Sequence, residues 1–97
     1  MHVITRARLL EFGLQHPDAA APLDAWYRIV KTATYTSAAD VKAQFGTASF
    51  LSGNRVVFNI GGNKYRLVVG MQYPTRVYVR HVLTHAEYGR LSNLDRL

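Results

Sequence analysis

The chain contains no cysteine. That absence removes disulfides, a thiolate nucleophile and every cysteine-ligated metal from consideration. No apolar run approaches the about 20 residues that a membrane span needs. The N-terminus also lacks the long apolar stretch of a secretory signal, so no membrane role and a cytoplasmic location are expected. Acids are scarce: six Asp and Glu stand against twelve Lys and Arg, most of them arginine, for a net charge of +6. That imbalance directs attention to a polyanionic partner, nucleic acid first and an acidic protein second. Ninety-seven residues are too few to bury two cores, so one domain over residues 1–97 is expected. With 48% hydrophobic residues it can pack one sheet against one layer of helices.

The first half of the chain reads as helical. "MHVIT" alternates weakly and suits a short first strand. "RARLLEFGLQH" places Ala7, Leu10 and Leu14 at spacings of three and four, with Pro17 as the stop. A second helix is predicted from Asp18 or Pro22 to Lys31, with Leu23, Trp26, Ile29, Val30 and Ala33 marking the buried stripe. "TSAADVKAQF" suits a short third helix capped by Ser37, with Asp40 in the capping-box position and Gly46 at its end.

The period then changes. "NRVVFNI", "NKYRLVVGMQY" and "TRVYVRHVL" alternate and are rich in Val, Tyr and Arg, as strands are. Gly61-Gly62 is a two-residue hairpin signal, which would pair Phe58 with Tyr65 and Asn59 with Lys64. Val56, Phe58, Ile60, Tyr65, Leu67, Val69 and Met71 then share an apolar face, joined by Val77, Val79 and Leu83. The opposite face carries Arg55, Asn59, Lys64, Arg66, Arg76, Tyr78 and Arg80. Five cations with no acid among them repel one another unless an anion sits there. A plain solvated face is the alternative.

The last strand runs into "THAEY". Thr84 and Glu87 have capping-box spacing, which ends the strand near Leu83 and starts a C-terminal helix. His85 and Tyr88, three apart, share one face of that helix. The helix dipole and the nearby arginines disfavour an imidazolium, leaving a neutral ring suited to accept a proton. The structural alternatives are a surface helix-start residue for His85 and packing against the sheet for Tyr88.

A metal site is not expected. His81 and His85 straddle the strand-to-helix change and have no acidic companion, while strict alternation turns His81 toward the apolar face as a half-buried structural residue. No serine lies on a nucleophile-elbow pattern, and "IGGNK" is too short for a phosphate loop.

"VFNIGGNKYRLVV" and "VYVRHVLTHAEY", with "MHVIT" and the helical stretch through Trp26, resemble the HigB family of bacterial toxins within the RelE-like superfamily. The resemblance covers nearly the whole chain. It implies an α+β RelE-like fold: a small antiparallel sheet of three to four strands packed against N-terminal helices, with a short C-terminal helix. It implies a toxin of a type II toxin-antitoxin system, a ribosome-associated mRNA endonuclease that inhibits translation and needs no metal or other cofactor. The implied partners are mRNA, the ribosome and a HigA-type helix-turn-helix antitoxin, with DNA reached only through the antitoxin. Carried onto this sequence, Arg66 matches the phosphate-binding arginine of the central strand, and Lys64 lies where a basic residue is usual. His85 and Tyr88 match the C-terminal catalytic region, and Arg80 offers a second cation. The catalytic set implied is thus His85, Arg66, Tyr88 and Lys64, and the RNA-binding set Arg55, Asn59, Lys64, Arg66, Arg76 and Arg80. Gly89 departs from the family, which often has an acid there. The alternative is a basic RNA- or protein-binding module without catalysis, an inactive toxin homologue.

Overall fold

A computed structural model describes residues 1–91 of the chain. The order of elements is β1 (His2–Ile4), α1 (Ala7–Gln15), α2 (Pro17–Thr32), α3 (Ala38–Gln44), β2 (Ser49–Leu51), β3 (Arg55–Ile60), β4 (Tyr65–Gln72), β5 (Arg76–Thr84) and α4 (His85–Gly89). The strands form one sheet in the order β1-β5-β4-β3-β2, so β4 is central. The architecture is α+β, compatible with a RelE-like toxin fold, but the sheet has five strands rather than three to four. It is also mixed, because β1 runs parallel to β5 while the other pairs are antiparallel. The unforeseen strand β2 has three residues, too few for alternation to reveal it in the sequence.

The helices cover one face of the sheet. Ala19, Leu23, Trp26 and Val30 of α2 are buried, joined by Val41 of α3 and by Phe58, Leu67, Val69, Val77 and Val79 of the strands. Trp26 and Phe45 both meet the Phe58 ring edge-on, with ring centres 5.4 and 4.9 Å away respectively.

 Phe12 and Tyr65 make a third edge-on pair, 5.3 Å between ring centres, where α1 meets β4. Of the stripe foreseen for α2, Ile29 is 40% exposed, and Ala33 lies just past the helix end, half-buried against the core.

Four local expectations are corrected by the structure. In α1 the buried residues are Leu9 and Gly13, with Phe12 packed beside them, whereas Leu10 and Leu14 are 56% and 83% exposed. Both stripes have helical spacing. The deciding feature is Gly13, where α2 approaches so closely that an added Cβ would lie 3.2 Å from that of Ala20. Pro17 does end α1, but it also opens α2 at the first position, where a missing N–H is harmless, and Pro22 lies inside that helix. In α3, Ser37 makes no side-chain cap; Asp40 instead accepts from the backbone N–H and the hydroxyl of Thr36, at 2.8 and 2.6 Å.

The other two corrections concern the sheet. The hairpin between β3 and β4 pairs Ile60 with Tyr65, Asn59 with Arg66 and Phe58 with Leu67, so Gly61 to Lys64 form a four-residue connection. Gly61 and Gly62 both take positive φ, at 62° and 70°, as their sequence signal implied, but the turn is two residues longer than expected. A shift of two preserves side-chain parity, which is why the apolar face is nevertheless as foreseen. Between β4 and β5 the register slips: Val68 faces His81 and Val69 faces Val79, leaving Arg80 as the extra residue of a bulge. The slip reverses the alternation. Val82 packs against the core, while His81 and Leu83 turn onto the opposite face with Val68 and Arg66.

Candidate active site

The face away from the helices is ordered by its cross-strand rows. Asn59, Arg66 and Leu83 form one row, Val57, Val68 and His81 the next, and Arg55, Gly70 and Tyr78 the third. Gln72 and Arg76 close the series. From Arg66 to Gln72 is six residues of β4, a track of about 20 Å. Arg55, Asn59, Arg66, Arg76, Tyr78 and Arg80 all lie along it, as foreseen.

Lys64 does not join them. Its ammonium group lies 3.3 Å from Asp18, at the start of α2 on the helix side of the sheet. The same carboxylate accepts from the Tyr65 hydroxyl at 2.5 Å. The Tyr65 hydrogen bond, then the Lys64 interactions, outweigh desolvation and hold the Asp18 carboxyl below its usual range, while the same bond raises the Tyr65 phenol. Lys64 thus helps fasten the hairpin to α2. Among the described residues, Arg8, Arg66, Arg76 and Arg80 have no carboxylate partner.

At one end of the track the chain brings three foreseen residues together. The backbone N–H of His85 donates to the Lys64 carbonyl at 2.8 Å, which sets the start of α4 beside the start of β4. The Arg66 guanidinium then reaches His85 Nδ1 at 3.0 Å, and its carbon lies 5.7 Å from the centre of the Tyr88 ring. Arg66 also donates to the carbonyls of Asn63 and Tyr65, at 3.1 and 3.2 Å, so the guanidinium is oriented by the turn below it. Arginine has donors only. In this contact Nδ1 is therefore the acceptor.

The capping box that announced α4 is complete: Glu87 N–H donates to the Thr84 hydroxyl at 3.1 Å, and Thr84 N–H to the Glu87 carboxylate at 2.9 Å. These bonds hold the Glu87 carboxyl below its usual range. A helix of five residues cannot persist on propensity alone, so the box is what presents His85 and Tyr88. Replacing Thr84 with alanine is expected to cost about 1 kcal/mol. Hydrogen exchange at the α4 amides should accelerate, and slow exchange there in the variant would show that α4 does not depend on the cap.

Two contributors escaped the sequence reading. His81 appears on this face only because of the bulge. Arg8, on α1, reaches round the edge of β5, which is open beyond the short β1, and donates to the Arg80 carbonyl at 2.5 Å. Burial first, then the charges of Arg8, Arg80 and Arg55, hold the imidazolium of His81 below the ordinary 6.5. The unfolded chain therefore takes up this proton first as pH falls. The stabilising contribution is full above about pH 6.5 and is lost as pH drops through the folded-state value. Urea midpoints should fall between pH 7 and 5, and His81→Gln should flatten that slope. An unchanged slope would assign the dependence to other groups.

A family model described as HigB_toxin, RelE-like toxic component of a toxin-antitoxin system, matches residues 19–91. The chain is 28% identical over 99 residues to an mRNA interferase HigB of Escherichia coli O6:H1 (strain CFT073), with 99% of this chain and 96% of the relative covered. It is 29% identical over 99 residues to the mRNA interferase toxin HigB of Escherichia coli K12 and to an mRNA interferase HigB of Shigella flexneri, covering 99% of this chain and 95% of each relative. The family match runs from the first turn of α2 through α4, so it takes in Arg66 on β4 and His85 and Tyr88 on α4, and the chain belongs to the HigB family of RelE-like toxins.

Proposed function

We propose that the protein is the toxin of a type II toxin-antitoxin pair and cleaves mRNA on the ribosome, using the 2′-hydroxyl beside the cut as nucleophile. The contact between Arg66 and His85 Nδ1 carries this reading, because it joins an anion clamp to a proton acceptor. An incoming phosphodiester draws the Arg66 fork onto its non-bridging oxygens and releases the Nδ1 lone pair. His85 then takes the 2′-hydroxyl proton as the 2′-oxygen bonds to phosphorus. The bond from phosphorus to the 5′-oxygen breaks, and Tyr88 supplies the proton that the departing oxygen needs. Arg66 offsets the charge growing on the phosphate throughout.

A HigA-type helix-turn-helix antitoxin neutralises the toxin in this reading, and any DNA contact runs through it. The relatives' names as mRNA interferases favour the same substrate. Induction in bacteria should arrest growth. Primer extension should then map cuts at codon-spaced positions inside translated regions, with 2′,3′-cyclic phosphate and 5′-hydroxyl ends. Cuts outside translated regions would refute ribosome dependence. Ends carrying a 3′-hydroxyl would refute the nucleophile, and RNA binding without any cut would leave a non-catalytic module.

A further inference from the structure

Beyond the Arg66–His85 cluster, the bulge in β5 opens a cavity of ≈ 310 Å³ between the sheet and the N-terminal segment. Arg8, Arg55, Arg80 and His81 line it together with Tyr78 and Thr5. Its volume sits at the lower end of the roughly 300–1,000 Å³ typical of small-ligand sites. No carboxylate lines it among the described residues; Glu11 belongs to the adjoining recess on the α1 side of Arg8.

The construction is specific at three points. The extra residue turns Arg80 and His81 to the same side of the sheet, where strict alternation would have separated them. Gly70 leaves room for the Arg80 side chain to lie against β4, since an added Cβ would meet its Nε at 3.0 Å and its Nη2 at 3.4 Å. Arg8 is tied to the bulge through the Arg80 carbonyl. Arg8 and Arg80 are thus collected in a recess where no carboxylate among the described residues pairs with either. That costs electrostatic energy unless an anion enters.

Gly70 is four residues along β4 from Arg66, about 13 Å. A single phosphate cannot touch both ends, but a continuous nucleic-acid strand can. We propose that this cavity is a second subsite for the substrate strand, in which Arg8 and Arg80 bind the backbone phosphate of a nucleotide flanking the cut while Tyr78 and His81 form the wall beside its base or sugar. The inference rests on the endoribonuclease reading and adds to it a binding site away from the reacting phosphate. A neutral His81 suits that wall, because it donates and accepts hydrogen bonds without adding a fourth charge.

Such a site binds ground state and transition state alike, so its loss should raise KM and leave kcat unchanged. The test is steady-state cleavage of a defined mRNA on purified ribosomes by the parent, Arg8→Ala, Arg80→Ala and Gly70→Ala. Gly70→Ala keeps every charge, and its methyl group makes the flexible Arg80 side chain give by only a few tenths of an ångström, so it perturbs Arg80 mildly without breaking the strand. Arg8→Ala and Arg80→Ala are each expected to raise KM about tenfold, the scale of one charge-assisted phosphate contact, and Gly70→Ala to raise it less. Parental KM in the folded Arg8→Ala and Arg80→Ala variants, or a fall in kcat alone, overturns the subsite while leaving the cleavage reading intact. A parent protein that cuts no mRNA overturns the cleavage reading, and the subsite with it.

Discussion

Arg66→Ala is expected to lower mRNA cleavage by about a hundredfold or more, with a melting temperature close to the parent's. The magnitude is that of removing one preorganised donor from a developing negative charge. Arg66 is only half-buried, and its partners on the turn are the carbonyls of Asn63 and Tyr65, which water can satisfy after the change. Stability should therefore be nearly untouched. Arg66→Lys is expected to recover only part of the rate, since a point charge cannot reproduce the planar fork or its lie over Tyr88. If Arg66 and His85 act as one unit, the double alanine variant should be little worse than either single variant. Multiplying losses, with each single variant folded, would mean that the 3.0 Å contact between them has no role in the chemistry. Single-turnover rates on programmed ribosomes measure all of these.

What the sequence disclosed, and what it hid, divides along physical lines. Side-chain alternation survives any shift of register by an even number, so the basic face was readable although the hairpin turn was two residues longer than the glycine pair implied. The Thr84–Glu87 box was readable because its two bonds are made between residues three apart, with no help from the rest of the fold. Tertiary features were hidden. The bulge at Arg80 depends on how β5 meets β4, and nothing in "VYVRHVL" breaks alternation, so His81 and Leu83 were assigned to the wrong face and Val82 was missed from the core. Leu10 and Leu14 offered a stripe as regular as that of Leu9 and Gly13, and only the close approach of α2 decides between them. Lys64 was placed with the arginines by its position in a strand, but it belongs to the turn, and Asp18, distant in sequence, holds it on the other side of the sheet.

The two faces of the sheet fail in different ways, and Phe58→Ala separates them. Phe58 is 2% exposed, is paired with Leu67 across the strands and carries the Trp26 and Phe45 rings on its edges. Truncation removes the ring and leaves a cavity that neighbours on three elements cannot close together. The expected cost is about 3–5 kcal/mol, against a total stability of about 5–15 kcal/mol for a domain of this size. In a thermal melt this should appear as a fall of about 15 °C or more. A shift of only a few degrees would mean that the core repacks around the gap. Both Phe58→Ala and Arg66→Ala should relieve toxicity in cells, but for different reasons. At a temperature where Phe58→Ala remains folded, each molecule should still cut at nearly the parental rate, because Arg66, His85 and Tyr88 are oriented by the turn and by α4 rather than by the Phe58 ring. Arg66→Ala should stay inactive however cold the assay. Recovery of Arg66→Ala on cooling would show that its defect is one of folding and would remove the main support for a clamp at the reacting phosphate.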